Sequence, residues 1–357
     1  MKVRTILIGL AMAVTLTGCS TQAATLDSGM PNQSPANQST NVDNSINSDT
    51  VQISSEQDRG TDSSAQFKKE EKKVLMEPIT LYEVDSKEFA KKTSEIPSYY
   101  KGEISYVTQA EMESFNEGHS VTLGSPLERT IMGISNLIPN EYLPDPSIDQ
   151  QLAKEQGGTH LDKTVKITTA GGIVFTKNPY NKETESTIVD VQVPEWGTYS
   201  VTWKTGQGSG IELIQKIVFT KAENFNVELV AKPLLLYAIS EDLLKKDVLK
   251  IPYYGIGTLG HVTNEEIQSI NEGHSPWKAT PLLTAEFMTA NLVPKHVDPK
   301  EVSYRVVRVE HENQENELTI VEAQVPSCGI YTIALNNAGK DNNTISFITR
   351  IEFKPTS

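Results

Sequence analysis

The pentapeptide Asn-Glu-Gly-His-Ser occurs twice in this chain, at Asn116–Ser120 and at Asn271–Ser275. Each copy sets a carboxylate (Glu117, Glu272) two residues before an imidazole (His119, His274). Such a pair could share a divalent metal or divide the roles of general acid and base. A metal needs more ligands than that, and neither copy has a nearby second His, Cys or Asp at matching spacing. A His just past a helix end also has a plainer use, bonding the last helical carbonyls or packing in the corner. The structural corner is the preferred reading, with His119 and His274 kept as candidate ligand-binding residues and no metal or other cofactor expected.

Other reactive side chains are few. Cys328 is the only thiol besides Cys19, and its counterpart in the repeat described below is Trp196, which points to a packed turn residue rather than a nucleophile. Tyr99 and Tyr100 follow Ile-Pro, as do Tyr253 and Tyr254, and Trp277 follows the second His. Loop aromatics of this kind could stack on a sugar or anchor a peptide, so Tyr99, Tyr254 and Trp277 are candidate contacts, although capping the core would serve equally. No Gly-x-Ser-x-Gly, His-Glu-x-x-His, phosphate-binding loop or paired-glycine nucleotide motif is present, and no catalytic residue is assigned.

The elements that position these residues come in two copies. With an offset of 155 residues, Pro78–Pro139 aligns with Pro233–Pro294 without a gap, at about a third identity. Beyond the prolines the offset becomes 132, so that "TIVDVQVPEWGTYSVTW" meets "TIVEAQVPSCGIYTIAL". The first copy therefore holds an insertion between Pro139 and Thr187. "ITLYEV" and "LLLYAI" read as strands, followed by short helices at Ser86–Lys92 and Glu241–Lys246. Thr108 with Glu111, and Thr263 with Glu266, fit capping boxes, and Gly118 and Gly273 fit left-handed helix ends. New helices open at Ser125-Pro126 and Thr280-Pro281. Val189, Val191 and Val193, like Val321, Ala323 and Val325, alternate as half-buried strands do, with further strands expected at "TVKITT" and "YRVVRVEH". His261 stands opposite Tyr106 at the same offset, which argues against a shared His pair. The expected fold is α+β: two tandem repeats, each with a strand and short helices followed by an antiparallel β meander or small sandwich.

The start of the chain carries an address. Lys2 and Arg4 precede an apolar run from Ile6 to Leu16, too short to span a bilayer and typical of an export signal. Leu16-Thr17-Gly18-Cys19 follows, and this segment resembles the lipobox of bacterial lipoproteins. The resemblance implies cleavage before Cys19, a diacylglycerol thioether on its sulfur and acylation, of the palmitate kind, on the new amine. Two or three acyl chains would hold the protein on the outward face of the cell membrane, each buried methylene contributing about 0.8 kcal/mol. With Cys19 lipidated, no intramolecular disulfide is left to form. The organisation expected is a signal peptide over 1–18, a lipidated Cys and disordered tether over 19–73, and repeat domains over 74–226 and 227–357. The tether is rich in Ser, Asn, Gln and Thr, too polar to offset its ordering entropy, with a span of about 40 Å.

The net charge of −14 disfavours nucleic acid and anionic headgroups as partners. A protein or neutral glycan of the envelope fits better. The functional expectation is a membrane-anchored, non-enzymatic binding or interaction module. The alternative is an envelope hydrolase or metal-dependent enzyme using the repeated corners.

Overall fold

Two mixed β-sheets, built on the alternating apolar runs, dominate a computed structural model that describes residues 77–119, 126–143, 163–313, 316–338 and 345–356. The signal peptide, Cys19, the tether, Ser120, Ser125 and most of the insertion lie outside the described residues. In chain order the first half contributes β1 (Ile79–Val84), α1 (Ser86–Phe89), β2 (Pro97–Tyr100), β3 (Glu103–Tyr106), α2 (Gln109–Asn116) and α3 (Pro126–Gly133). It continues with β4 (Val165–Thr168), β5 (Val174–Lys177), β6 (Ser186–Val193), β7 (Gly197–Thr205) and β8 (Glu212–Lys221). The second half contributes β9 (Leu234–Ile239), α4 (Glu241–Leu244), β10 (Pro252–Gly255), β11 (Thr258–His261), α5 (Asn264–Asn271) and α6 (Pro281–Met288). Strands β12 (Ser303–Asn313), β13 (Asn316–Val325), β14 (Gly329–Ala338) and β15 (Ile345–Pro355) complete it. The fold is α+β in character, with few and short helices. Among the described residues no helix is long and apolar enough to cross a membrane.

The meanders form as the alternation predicts. Val189, Val191 and Val193 on β6, and Val321, Ala323 and Val325 on β13, turn inward and are buried, leaving the residues between them half-buried or exposed. Strands β4 to β8 pair consecutively and antiparallel, and so do β12 to β15. Both capping boxes are present, with Thr108 and Thr263 accepting from the amides of Glu111 and Glu266.

Neither sheet is confined to one side of residue 226. The eight-stranded sheet runs β10-β11-β1-β8-β7-β6-β5-β4, and the seven-stranded sheet β12-β13-β14-β15-β9-β3-β2. Hairpin β10–β11 thus joins β1 through a parallel pairing of β11, and hairpin β2–β3 joins β9 through a parallel pairing of β3. Each half lends its hairpin to the other half's sheet.

Half-buried asparagines and buried tyrosines fasten this exchange in matching pairs. Asn136 Nδ2 donates to the Leu235 carbonyl (2.5 Å) and the Tyr99 hydroxyl (2.8 Å), while Asn291 Nδ2 donates to the Thr80 carbonyl (2.7 Å) and the Tyr254 hydroxyl (3.0 Å). Tyr99 in turn donates to the Leu236 carbonyl at 3.2 Å and Tyr254 to that of Leu81 at 3.5 Å. All four contacts that reach a backbone carbonyl join residues from opposite halves. One hydrophobic core accordingly runs through both.

Strand β8 also holds a carboxylate that should set a pH dependence. Burial pushes the Glu212 carboxyl up to about 7 from 4.5, with Lys177 and Arg129 partly opposing it. Because the folded value lies above the unfolded one, the folded state binds the proton more tightly. The resulting stability is fully present below about pH 4.5 and lost as the pH rises through about 7. Between pH 5 and pH 8 the wild type should therefore lose stability on the order of 3 kcal/mol that Glu212→Gln does not lose. Parallel melting-temperature profiles for the two proteins would contradict this assignment.

Candidate functional site

The repeated corners are helix ends of one geometry. The Gly118 amide donates to the Phe115 carbonyl and the His119 amide to that of Ser114, both at 2.9 Å; Gly273 and His274 bond Ile270 and Ser269 in the same way, both at 3.0 Å. This double bond pattern is the Schellman helix stop, which needs a left-handed residue, and Gly118 and Gly273 have φ of +79° and +81°. The imidazoles point away from any enclosure, at 74% and 71% side-chain exposure, each beside its own Glu117 or Glu272 at 3.4 and 3.5 Å. Among the described residues no group of three His, Cys, Asp or Glu side chains is placed to hold a metal. A Cβ on either glycine would meet nothing within 4 Å, so only backbone strain opposes substitution. Gly118→Ala and Gly273→Ala should each cost about 1 kcal/mol in denaturant unfolding. His119→Ala and His274→Ala should each stay within about 0.5 kcal/mol. Zinc should leave the melting curve in place, and a zinc-dependent rise lost in the double His variant would return these corners to the list of sites.

The candidate aromatics separate on burial. Tyr99 and Tyr254 are not loop residues open to a ligand: they lie in β2 and β10, 2% and 1% exposed, with hydroxyls engaged in the exchange described above. Their proline neighbours begin strands rather than loops. Trp277 is half-buried on a 3₁₀ turn (Pro276–Ala279), its ring tilted against the exposed Phe287 at 5.1 Å.

The structure joins Tyr106 and His261, whose equivalence at an offset of 155 residues argued against a shared pair. They meet because each ends an exchanged hairpin strand. His261 Nε2 lies 2.7 Å from the Tyr106 hydroxyl, and its Nδ1 lies 2.8 Å from Glu88 Oε2. The tautomer that satisfies both contacts carries its proton on Nδ1, donates to Glu88 and accepts from Tyr106. Burial lowers the imidazole against the opposing pull of Glu88, with Lys91 adding to the lowering. Burial and the Glu88 charge raise the Tyr106 phenol, so it stays a neutral donor rather than a nucleophile. The trio is a hydrogen-bonded bridge between the halves.

A partly open apolar cavity of about 210 Å³ lies elsewhere, lined by residues of both halves. Part of its wall comes in equivalent pairs: Ile79 with Leu234, Leu81 with Leu236, and Tyr199 with Tyr331. One pair is unmatched in size, Trp196 facing the position of Cys328. Both sit in the turns that close the β6–β7 and β13–β14 hairpins. Trp196 is 1% exposed, donates from Nε1 to the Tyr199 hydroxyl (2.6 Å) and packs on Phe225 at 4.6 Å. Cys328 is a half-buried free thiol that burial raises against the pull of Lys221, which keeps it protonated at neutral pH. Exposed Glu77, His296 and Ser327 mark the polar end of the cavity. Sequence reasoning reached Trp196 and Cys328 only as turn residues; their mismatch at an offset of 132 residues was the available signal for a void. Comparison with protein-family models, curated proteins and solved structures finds no match.

Proposed function

We propose that this chain is a lipid-anchored protein of the cell envelope that binds rather than transforms its ligand, with the cavity between its halves as the ligand site. The observation that carries the binding half of this reading is the cavity itself, concave, mostly apolar and walled by both halves. Ligand sites are commonly concave and largely apolar, with a few polar groups at the mouth. Anchoring rests on the charged start, the apolar run and Leu16-Thr17-Gly18-Cys19, which would tether the folded unit through a polar segment. The fold would then have arisen by duplication of one unit, whose copies exchange hairpins. Hydrogen bonds recurring at an offset of 155 residues, such as Tyr82 to Pro97 and Tyr237 to Pro252, support that origin. Of the partner classes that the negative charge favours, a neutral glycan would lay its hydroxyls against the aromatic and aliphatic side chains that form most of the wall, so a partner that brings an apolar group fits better.

The reading is tested on protein released from its own membranes. Wild type should incorporate labelled lipid and fractionate with membranes, whereas Cys19→Ala should do neither. Native mass spectrometry should find a non-covalent mass on the folded protein that is lost on denaturation. Membrane retention of a correctly cleaved Cys19→Ala protein would sink the anchor, and a ligand-free folded protein would sink the binding role.

A further inference from the structure

We infer that the Trp196-to-Cys328 difference opens a receptor for one compact, wholly apolar group per chain, about the size of a single aromatic ring with a short alkyl substituent. This deepens the binding role proposed above and rests on it. The cavity follows from a broken symmetry. In the first half an indole fills the turn: Trp196 is buried, bonded to Tyr199, and packed against Phe219 and Phe225 at ring distances of 5.9 and 4.6 Å. In the second half Tyr331 and Phe353 stack at 4.7 Å, as Tyr199 and Phe219 do at 4.8 Å, but the equivalent of the indole is the thiol of Cys328. An indole's worth of volume is therefore missing on one side only, which makes the site single rather than paired.

Its size and lining determine what can enter. A dry engineered cavity of about 150 Å³ accepts benzene, and this one, at about 210 Å³, has room for slightly more. The polar atoms of the buried aromatic wall are already engaged: Trp196 Nε1 on Tyr199, the Tyr199 hydroxyl on the Leu137 carbonyl, and the Tyr331 hydroxyl on that of Leu292; the other polar side chains of the lining, Glu77, Lys221, His296 and Ser327, are exposed or half-buried. Among the described residues, the buried side-chain atoms without a partner belong to Asn136, Thr187, Tyr253 and Asn291, none of which lines the cavity. A ligand that carried a donor or acceptor into the body of the site would leave it unpaired, at a cost of several-fold or more in affinity. The protonated Cys328 thiol behaves there as a small apolar group.

The test uses the full chain with toluene and ethylbenzene as probes and benzamide as the polar control. Saturable binding of toluene should raise the melting temperature and fit one site by titration calorimetry, with benzamide at least tenfold weaker. Cys328→Trp, which restores the residue of the other half, should fold with equal or greater stability and bind toluene at least tenfold more weakly. Cys328→Leu, a smaller filling, should weaken binding to an intermediate degree, and it carries the test if the larger side chain fails to fold. Equal binding by wild type and a folded Cys328→Trp or Cys328→Leu protein would overturn the inference, as would benzamide binding as tightly as toluene or no binding by either apolar probe. If the probes fail while protein from its own membranes carries a ligand, this inference falls and the binding role stands. If the probes bind as expected but that protein is empty, the cavity is as inferred and the proposed role falls.

Discussion

Gly197→Ala and Gly329→Ala should be among the most damaging single-methyl changes in the chain, each costing roughly 3 to 5 kcal/mol in denaturant unfolding. Both glycines open a strand after a tight turn, at φ of +153° and +156°, where a side chain is strained whatever the space around it. Space is also lacking. A Cβ on Gly197 would press on the Thr220 carbonyl oxygen and come within 2.7 Å of the Phe219 ring; on Gly329 it would press on the Lys354 carbonyl oxygen and come within 2.7 Å of the Phe353 ring. The oxygens belong to the antiparallel partner strands, so they can withdraw only by opening the β7–β8 or β14–β15 ladder. The rings pack on Tyr199 and Tyr331, which line the cavity, so ligand binding should weaken in parallel. Gly118 and Gly273 provide the contrast, being also at positive φ but with open space around the added methyl. A loss under about 1 kcal/mol at Gly197 and Gly329 would mean that the turns accommodate a side chain and that this packing argument fails.

The second large effect is expected at the hairpin exchange. Asn136→Leu and Asn291→Leu keep an approximate side-chain size but remove both donated hydrogen bonds, stranding the carbonyl of Leu235 or Thr80. Each should cost about 2 to 3 kcal/mol. The loss is tempered because the Oδ1 atom of each Asn is itself buried without a partner, and leucine removes that liability. The bond to tyrosine gives an internal check. Asn136 with Tyr99→Phe, and Asn291 with Tyr254→Phe, should be non-additive in double-mutant cycles, since each pair shares one network across the halves. Additive losses would show that the networks do not act as units.

Much of the local structure was legible because it rests on short-range chemistry. Capping boxes, left-handed helix stops and period-two alternation are each written within a few residues, and Thr108, Gly118 and the Val189–Val193 run all do what their spacing implies. The hairpins β2–β3 and β10–β11 were harder to see. Their turns are Lys101-Gly102 and Ile256-Gly257, with both residues of each at positive φ, and neither dipeptide carries the Asn-Gly or Asp-Gly signature of such turns. Where those hairpins pair was not legible at all. A strand that joins its neighbour's sheet buries the same apolar face as one that joins its own, so the pattern of Tyr99 and Ile104 is identical under both arrangements. The candidate site shared that fate. The residues with recognisable chemistry, His119 and His274, sit in solvent, while the cavity arises from packing between segments more than a hundred residues apart.

Interlocking of the halves is the claim on which the cavity and its single ligand depend, and separating them tests it most directly. Residues 77–226 and 227–357 should be produced apart and examined by thermal melting with light scattering. An isolated half would leave β1 or β9 with an empty edge and its own hairpin without a sheet. Neither half should therefore fold as a monomer; a half that folds alone should do so as a homodimer, lending its hairpin to a second copy, and mixing the two halves should restore the toluene site. A monomeric half that melts cooperatively at the temperature of the intact chain would contradict the account.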